Sequence, residues 1–146
     1  MTVLDKLISW LQTFPLWEGE KTCVDSLMST PGSVGLYPRG IREMGRREDV
    51  LGNVEVVNRL QILLCRVTAG EDDRAEDAAW LLALQDWVRQ QSAAGLAPRL
   101  GDVPEKEWIR AEQGRLKTPV QTGTGRYAVT ITAEYAVAID NYLIFR

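Results

Sequence analysis

The stretch Val54-Glu55-Val56-Val57-Asn58-Arg59-Leu60-Gln61-Ile62-Leu63-Leu64-Cys65-Arg66-Val67 reads as one long strand. Val57, Arg59, Gln61 and Leu63 fall on one side of it. Asn58, Leu60, Ile62, Leu64 and Arg66 fall on the other. The second side is apolar through its middle and polar at its ends, as expected for a strand with one face on a core. Ala69-Gly70 breaks the strand. Asp72 or Asp73 can then cap a helix, with Glu76 completing an acidic version of the capping pattern. Acidic residues there also suit the positive end of the helix dipole. Trp80, Leu81, Leu84, Trp87 and Val88 make a broad apolar stripe, and Gly95 supplies a C-terminal stop. The spacing therefore predicts a helix over residues 74–93.

On the C-terminal side, residues 95–104 are rich in turn formers, and 107–117 follow as a strand that starts near Trp108. Gly123-Thr124-Gly125 is a flexible break. Residues 126–139 then alternate, with Tyr127, Val129, Ile131, Ala133 and Tyr135 on one face. On the N-terminal side, Gly52-Asn53 marks a turn, and two short strands are expected at 33–38 and 41–47. Residues 18–32 read as a loop ending in Thr30-Pro31-Gly32. Leu4, Leu7, Ile8 and Leu11 recur at helical spacing, so 2–13 form an amphipathic helix that Phe14-Pro15 ends. The order is α-β-β-β-α-β-β. These elements predict an α+β fold: a mixed, mostly antiparallel sheet of about five strands with two helices on one face, burying every stripe in two layers.

A length of 146 residues fits a single domain over 1–146. The net charge of -3 argues against a dedicated nucleic-acid binder. It is compatible with a surface past which DNA slides, because the contacts that neutralise phosphate are few. Met1–Phe14 carries Asp5 and Lys6 inside its apolar pattern, unlike a signal peptide, and no run is long enough for a membrane span. The expectation is a protein made and kept in the cytoplasm, or in a particle assembled there.

The chain contains no histidine, which removes histidine general bases and Ser–His or Cys–His pairs. Two cysteines, Cys23 and Cys65, are too few for a zinc site. Cys65 reads as a small buried hydrophobe; a Cys23–Cys65 bridge is the alternative, less favoured in a cytosolic product. Acid–base work would fall to carboxylates such as Glu71-Asp72-Asp73, which read instead as a helix N-terminus. Gly123-Thr124-Gly125 lacks the following helix and the Lys-Ser/Thr of a phosphate loop. No catalytic residue, cofactor or metal is expected.

Two features point outward. Residues 39–48 are the most basic segment, and Arg42, Arg46 and Arg47 are candidates for a partner contact; a solvated strand pair is the plainer reading. The apolar tail carries Tyr142, Leu143, Ile144 and Phe145 beyond the last strand, and should be buried on its own domain or a neighbour. Of five tryptophans, Trp80 and Trp87 fit the helix stripe. Trp10 and Trp17 lie off the first helix's clean stripe, and Trp108 opens a strand.

A resemblance rests on Pro31-Gly32-Ser33-Val34-Gly35-Leu36, the strand at 58–66, and Ala83-Leu84-Gln85-Asp86-Trp87-Val88-Arg89-Gln90-Gln91. It continues through the linker at 96–104 and Gly125-Arg126-Tyr127-Ala128-Val129-Thr130-Ile131. In these segments, spread over about two-thirds of the chain, the protein resembles the tail-completion and minor capsid proteins of phages and prophages of Gram-positive bacteria. The resemblance implies a tail terminator: a structural virion protein of the tail and neck, forming a ring, usually hexameric, on the head-proximal end of the tail tube. Its implied partners are further copies of itself, the tail tube protein and the head–tail connector protein. DNA would pass the lumen without sequence-specific contact, and no membrane is involved. The arginine-rich segment departs from the acidic or neutral sequence of that class.

A ring needs two different patches on each subunit to meet; the hairpin at 45–53 and the tail are the candidates. The alternatives are a head-completion ring on the portal side, a small metal-dependent enzyme using the acidic cluster, and a monomeric regulator.

Overall fold

The structure, a computed structural model, describes residues 2–17, 22–24, 34–68, 71–118 and 125–139. The chain runs α1 (Val3–Leu11), β1 (Thr22–Val24), β2 (Val34–Glu48), β3 (Val54–Thr68), α2 (Glu71–Ala93), a short 3-10 turn (Pro104–Lys106), β4 (Trp108–Thr118) and β5 (Gly125–Ile139). The expected α+β class with two helices and an antiparallel sheet is what these elements form. The four long strands lie antiparallel in the order β2-β3-β5-β4, and β1 adds to the free side of β2 in parallel.

The division into strands differs from the sequence reading. Residues 33–38 and 41–47 are not two strands but one, β2, which stays paired to β3 from Val34↔Arg66 to Glu48↔Val54. The register shifts at Pro38/Ile41 and Glu43/Gly45, where the extra residues are absorbed as bulges. Gly40, at φ +84°, takes the left-handed conformation the first bulge requires. The third strand before α2 is β1, inside the segment read as loop.

β3 behaves as its alternation predicts. Leu60, Ile62 and Leu64 are buried and face Ala133, Ile131 and Val129 of β5. Leu36 joins them from β2 and Ile109 from β4. Arg66, read as a polar strand end, is instead buried: its Nε donates to Asp77 Oδ1 at 2.8 Å, and its guanidinium lies 4.5 Å from the Trp80 ring.

α2 supplies Trp80, Leu81, Leu84 and Val88 to the same core. It starts at Glu71, so Asp72 and Asp73 occupy its first turn instead of capping it. Its end is as expected. Gly95 has φ +72°, Gly95 N–H donates to Ser92 O, and Leu96 N–H donates to Gln91 O. This double bond pattern satisfies carbonyls the helix would leave orphaned. α1 is shorter than 2–13. Thr2 and Asp5 form a reciprocal capping box at its start, and the Thr13 hydroxyl donates to Trp10 O just past its end.

Trp10 and Trp17, off the clean stripe of the first helix, are core residues. Trp10 stacks on Trp87 with ring centroids 5.0 Å apart, and Trp17 packs on Trp80 at 5.6 Å. The aromatic seam fastens α1 and the turn after it to α2.

The linker at 95–104 docks on β5 where β4 has not yet begun. Asp102 N–H donates to Ala136 O, and its carboxylate accepts the Ala138 N–H, so one residue extends the ladder. Glu107 accepts the N–H groups of Leu100 and Gly101. A Cβ at Gly101 would stand 2.2 Å from the Ala136 carbonyl oxygen, which cannot retreat without losing Asp102. Gly101→Ala should therefore destabilise the domain by about 1–3 kcal/mol, read as a lower denaturation midpoint.

Candidate functional site

Among the described residues, several carboxylates are held in structural roles. Asp77 binds Arg66, Glu134 binds Arg59 at 2.8 Å, and Asp102 and Glu107 bind backbone amides. Among the described residues no group of three Asp, Glu, Cys or His could hold a metal ion, and no helix is long and apolar enough to cross a membrane. Cys65 is buried on β3, as read from its strand. Glu71, Asp72 and Asp73 lie together in the first turn of α2.

The basic segment forms the outer half of β2, and residues 39–48 are all exposed. Arg46 pairs with Glu43 on its own strand at 2.9 Å, with both side chains about half exposed. Such a pair contributes little to stability. Among the described residues β1 covers only Val34–Leu36, so beyond it β2 is a sheet edge with no described strand beside it. Alternating charges and bulges on an open edge discourage another strand from adding. Arg42, Arg46 and Arg47 thus have a protective role at hand whether or not a partner meets them.

The turn that joins β2 to β3 carries a different signal. Asp49 Oδ1 accepts the N–H groups of Leu51 (2.8 Å) and Asn53 (3.0 Å), and Oδ2 accepts the Asn53 side-chain amide (3.2 Å). Gly52, at φ +84°, closes the turn by donating to Asp49 O. This hydrogen-bonded frame holds out two apolar side chains, Val50 at 100% exposure and Leu51 at 73%. Ile41 and Met44 are exposed on the adjoining strand.

The Asn53 amide, followed by those of Leu51 and Gly52, holds the Asp49 carboxyl below its ordinary value. The folded value is depressed, so the carboxylate supports the turn above the ordinary carboxylate range. That support is lost as pH falls through the lowered value. Asp49→Ala should accelerate hydrogen exchange at Leu51 and Asn53 at neutral pH, and wild type should show the same acceleration only in acid.

A groove of about 520 Å³ lies at the opposite edge of the sheet, between α2 and β4. Leu82, 59% exposed, and Asp86 form one wall; Trp108, Arg110 and Glu112 belong to the other. Trp108 carries Arg110 at 4.4 Å from its ring on one contact and Arg59 at 5.6 Å on another. Two carbonyls of β4 are occupied by α2: Gln85 Nε2 donates to Ala111 O and the Ser92 hydroxyl to Ile109 O.

Sequence reasoning named the arginines and the hairpin at 45–53 but did not single out Val50-Leu51, whose signal was an apolar pair inside a polar turn. The groove has no local signal, since its walls meet only in the fold. Tyr142, Leu143, Ile144 and Phe145 lie outside the described residues. In comparisons with known proteins, the chain matches no family model and no curated sequence.

Proposed function

We propose that this chain is a structural virion protein, a phage tail terminator that forms a hexameric ring on the head-proximal end of the tail tube. There it ends tube growth and presents a surface to the head–tail connector. The observation that carries the reading is the pair Val50 and Leu51, exposed on a turn whose hydrogen bonds fix them outward. A rigid apolar projection costs little entropy to dock, which suits a protein whose work is contact with other subunits. The carboxylates bound into structural roles support the same reading, as does the likeness of its segments to tail-completion proteins. The net charge of -3 suits a lumen that DNA crosses without being gripped.

The test is tube growth in vitro. Added below stoichiometry to polymerising tail tube protein from the same phage, the chain should shorten the tubes and sit at one end of each. Unchanged tube length with bare ends would contradict the reading. Binding to the connector alone would place the ring on the portal side.

A further inference from the structure

We infer that Tyr142, Leu143, Ile144 and Phe145 pack against the turn carrying Val50 and Leu51 of their own chain. The contact itself needs no ring; only its use as a subunit patch rests on the ring reading above.

Three observations select this segment as the occupant. The first is direction. β5 pairs with β3 without a register shift from Thr68↔Gly125 to Val54↔Ile139. The two strands are antiparallel, so a chain continuing beyond Ile139 heads past the start of β3 and along the turn. Leu51 stands three residues before Val54, and Tyr142 three residues after Ile139. An extended rise of about 3.3 Å per residue brings Tyr142 level with Leu51.

The second is the seat. A cleft of about 440 Å³ opens between the turn and the end of β5, lined by Arg47, Asp49, Asn53, Val54, Glu55 and Ala138. Asp49 and Asn53 are bonded to each other there, and Glu55 to Lys106. Arg47 offers a cation to an aromatic ring, and the segment carries two such rings, Tyr142 and Phe145. Beside the cleft stand Val50 at 100% exposure, Leu51 at 73% and Ile139 at 38%. Packing the segment on them removes apolar surface from water on both sides of the contact.

The third is the tether. A link of three residues holds the segment beside the turn at an effective concentration on the order of millimolar. The same segment from a second copy, dilute in solution, competes poorly with it. The hairpin and the apolar tail thus form one patch instead of two. A ring needs two different patches to meet, so the complement of this one lies elsewhere on the subunit.

The experiment uses the full chain, protonated only at Val and Leu methyls and at Tyr and Phe rings. Magnetisation transfer is expected from the Val50 or Leu51 methyls to the Tyr142 or Phe145 rings. Its intensity per labelled chain should not change when that chain is diluted into an excess of fully deuterated chain. Leu51→Asp, with a thermal melt to confirm folding, should speed hydrogen exchange at residues 142–145 by roughly tenfold or more. Transfer that fades on dilution would seat a second copy's segment on the turn and overturn the contact within one chain. No transfer in a folded chain, or exchange that Leu51→Asp leaves unchanged, would overturn it as well. Each of these outcomes leaves the ring reading to the tube assay.

Discussion

Trp80→Ala should cost about 3–5 kcal/mol, lowering the melting temperature by roughly 10–20 °C. Trp80 is 6% exposed and sits where three parts of the chain meet. Phe14 packs edge-on against it at 5.4 Å, Trp17 tilts against it at 5.6 Å, and Arg66 lies over its ring. Its Nε1 donates to Leu16 O at 2.9 Å, tying the segment after α1 to α2. Most of the loss comes from the emptied volume, because the surrounding rings can close on it only in part. The hydrogen bond is the smaller share, since Leu16 is half exposed and water can reach its carbonyl. Trp80→Phe, which keeps most of the ring and removes the N–H, should therefore cost only about 1–2 kcal/mol. Denaturant titrations of the two variants separate the effects.

Asp77→Ala should cost a similar amount, about 3–5 kcal/mol, by a different route. The Asp77 and Arg66 side chains are 8% and 10% exposed, bonded at 2.8 Å. Removing the carboxylate takes a directly bonded counter-charge from a largely buried guanidinium, so less of the cation's desolvation is offset. Replacing both partners with apolar residues, Arg66→Met with Asp77→Leu, should recover most of the loss. A double variant as unstable as Asp77→Ala would instead show that the pair itself is strongly stabilising. Asp77 and Trp80 both touch Arg66, so Asp77→Ala and Trp80→Ala together should cost less than their sum.

Elements whose own period is long were legible in the sequence. β3, β5 and the apolar stripe of α2 each repeat their pattern often enough to fix type and inward face. Gly95 ends α2 by a conformation that glycine alone adopts cheaply. Where pairing partners decide, the sequence was silent or misleading. Arg39-Gly40 falls where the sequence reading breaks the strand, yet an unbroken β3 alongside keeps β2 in one piece and turns the break into a bulge. Thr22–Val24 is too short to show a period and exists as a strand only because Val34–Leu36 lies beside it. Trp10 lies off the α1 stripe because it faces Trp87 on α2 rather than the sheet alone. Arg66 read only as the polar end of the core-facing side, because nothing in β3 announces the aspartate on α2 that lets it be buried.

The candidate interaction surface divides in the same way. Arg42, Arg46 and Arg47 were visible as a basic run, but their ordinary duty on an open sheet edge becomes apparent only once β2 is seen at that edge. The apolar pair in the turn draws its meaning from the Asp49 hydrogen bonds that hold it out. The groove belongs to the fold alone: Gln85 and Ser92 stand two helical turns apart on α2 and both reach β4 carbonyls, keeping helix and strand edge at a fixed separation. The reading as a tail terminator rests on segment likeness and on this outward-facing turn.

The mass of the purified chain in solution, followed over a wide concentration range by light scattering behind a sizing column, decides whether the chain forms a ring. A closed species near the mass of a hexamer, in equilibrium with monomer and lost in Leu51→Asp, is expected. A chain that remains monomeric at every concentration, or stops at a dimer that Leu51→Asp leaves intact, would contradict it.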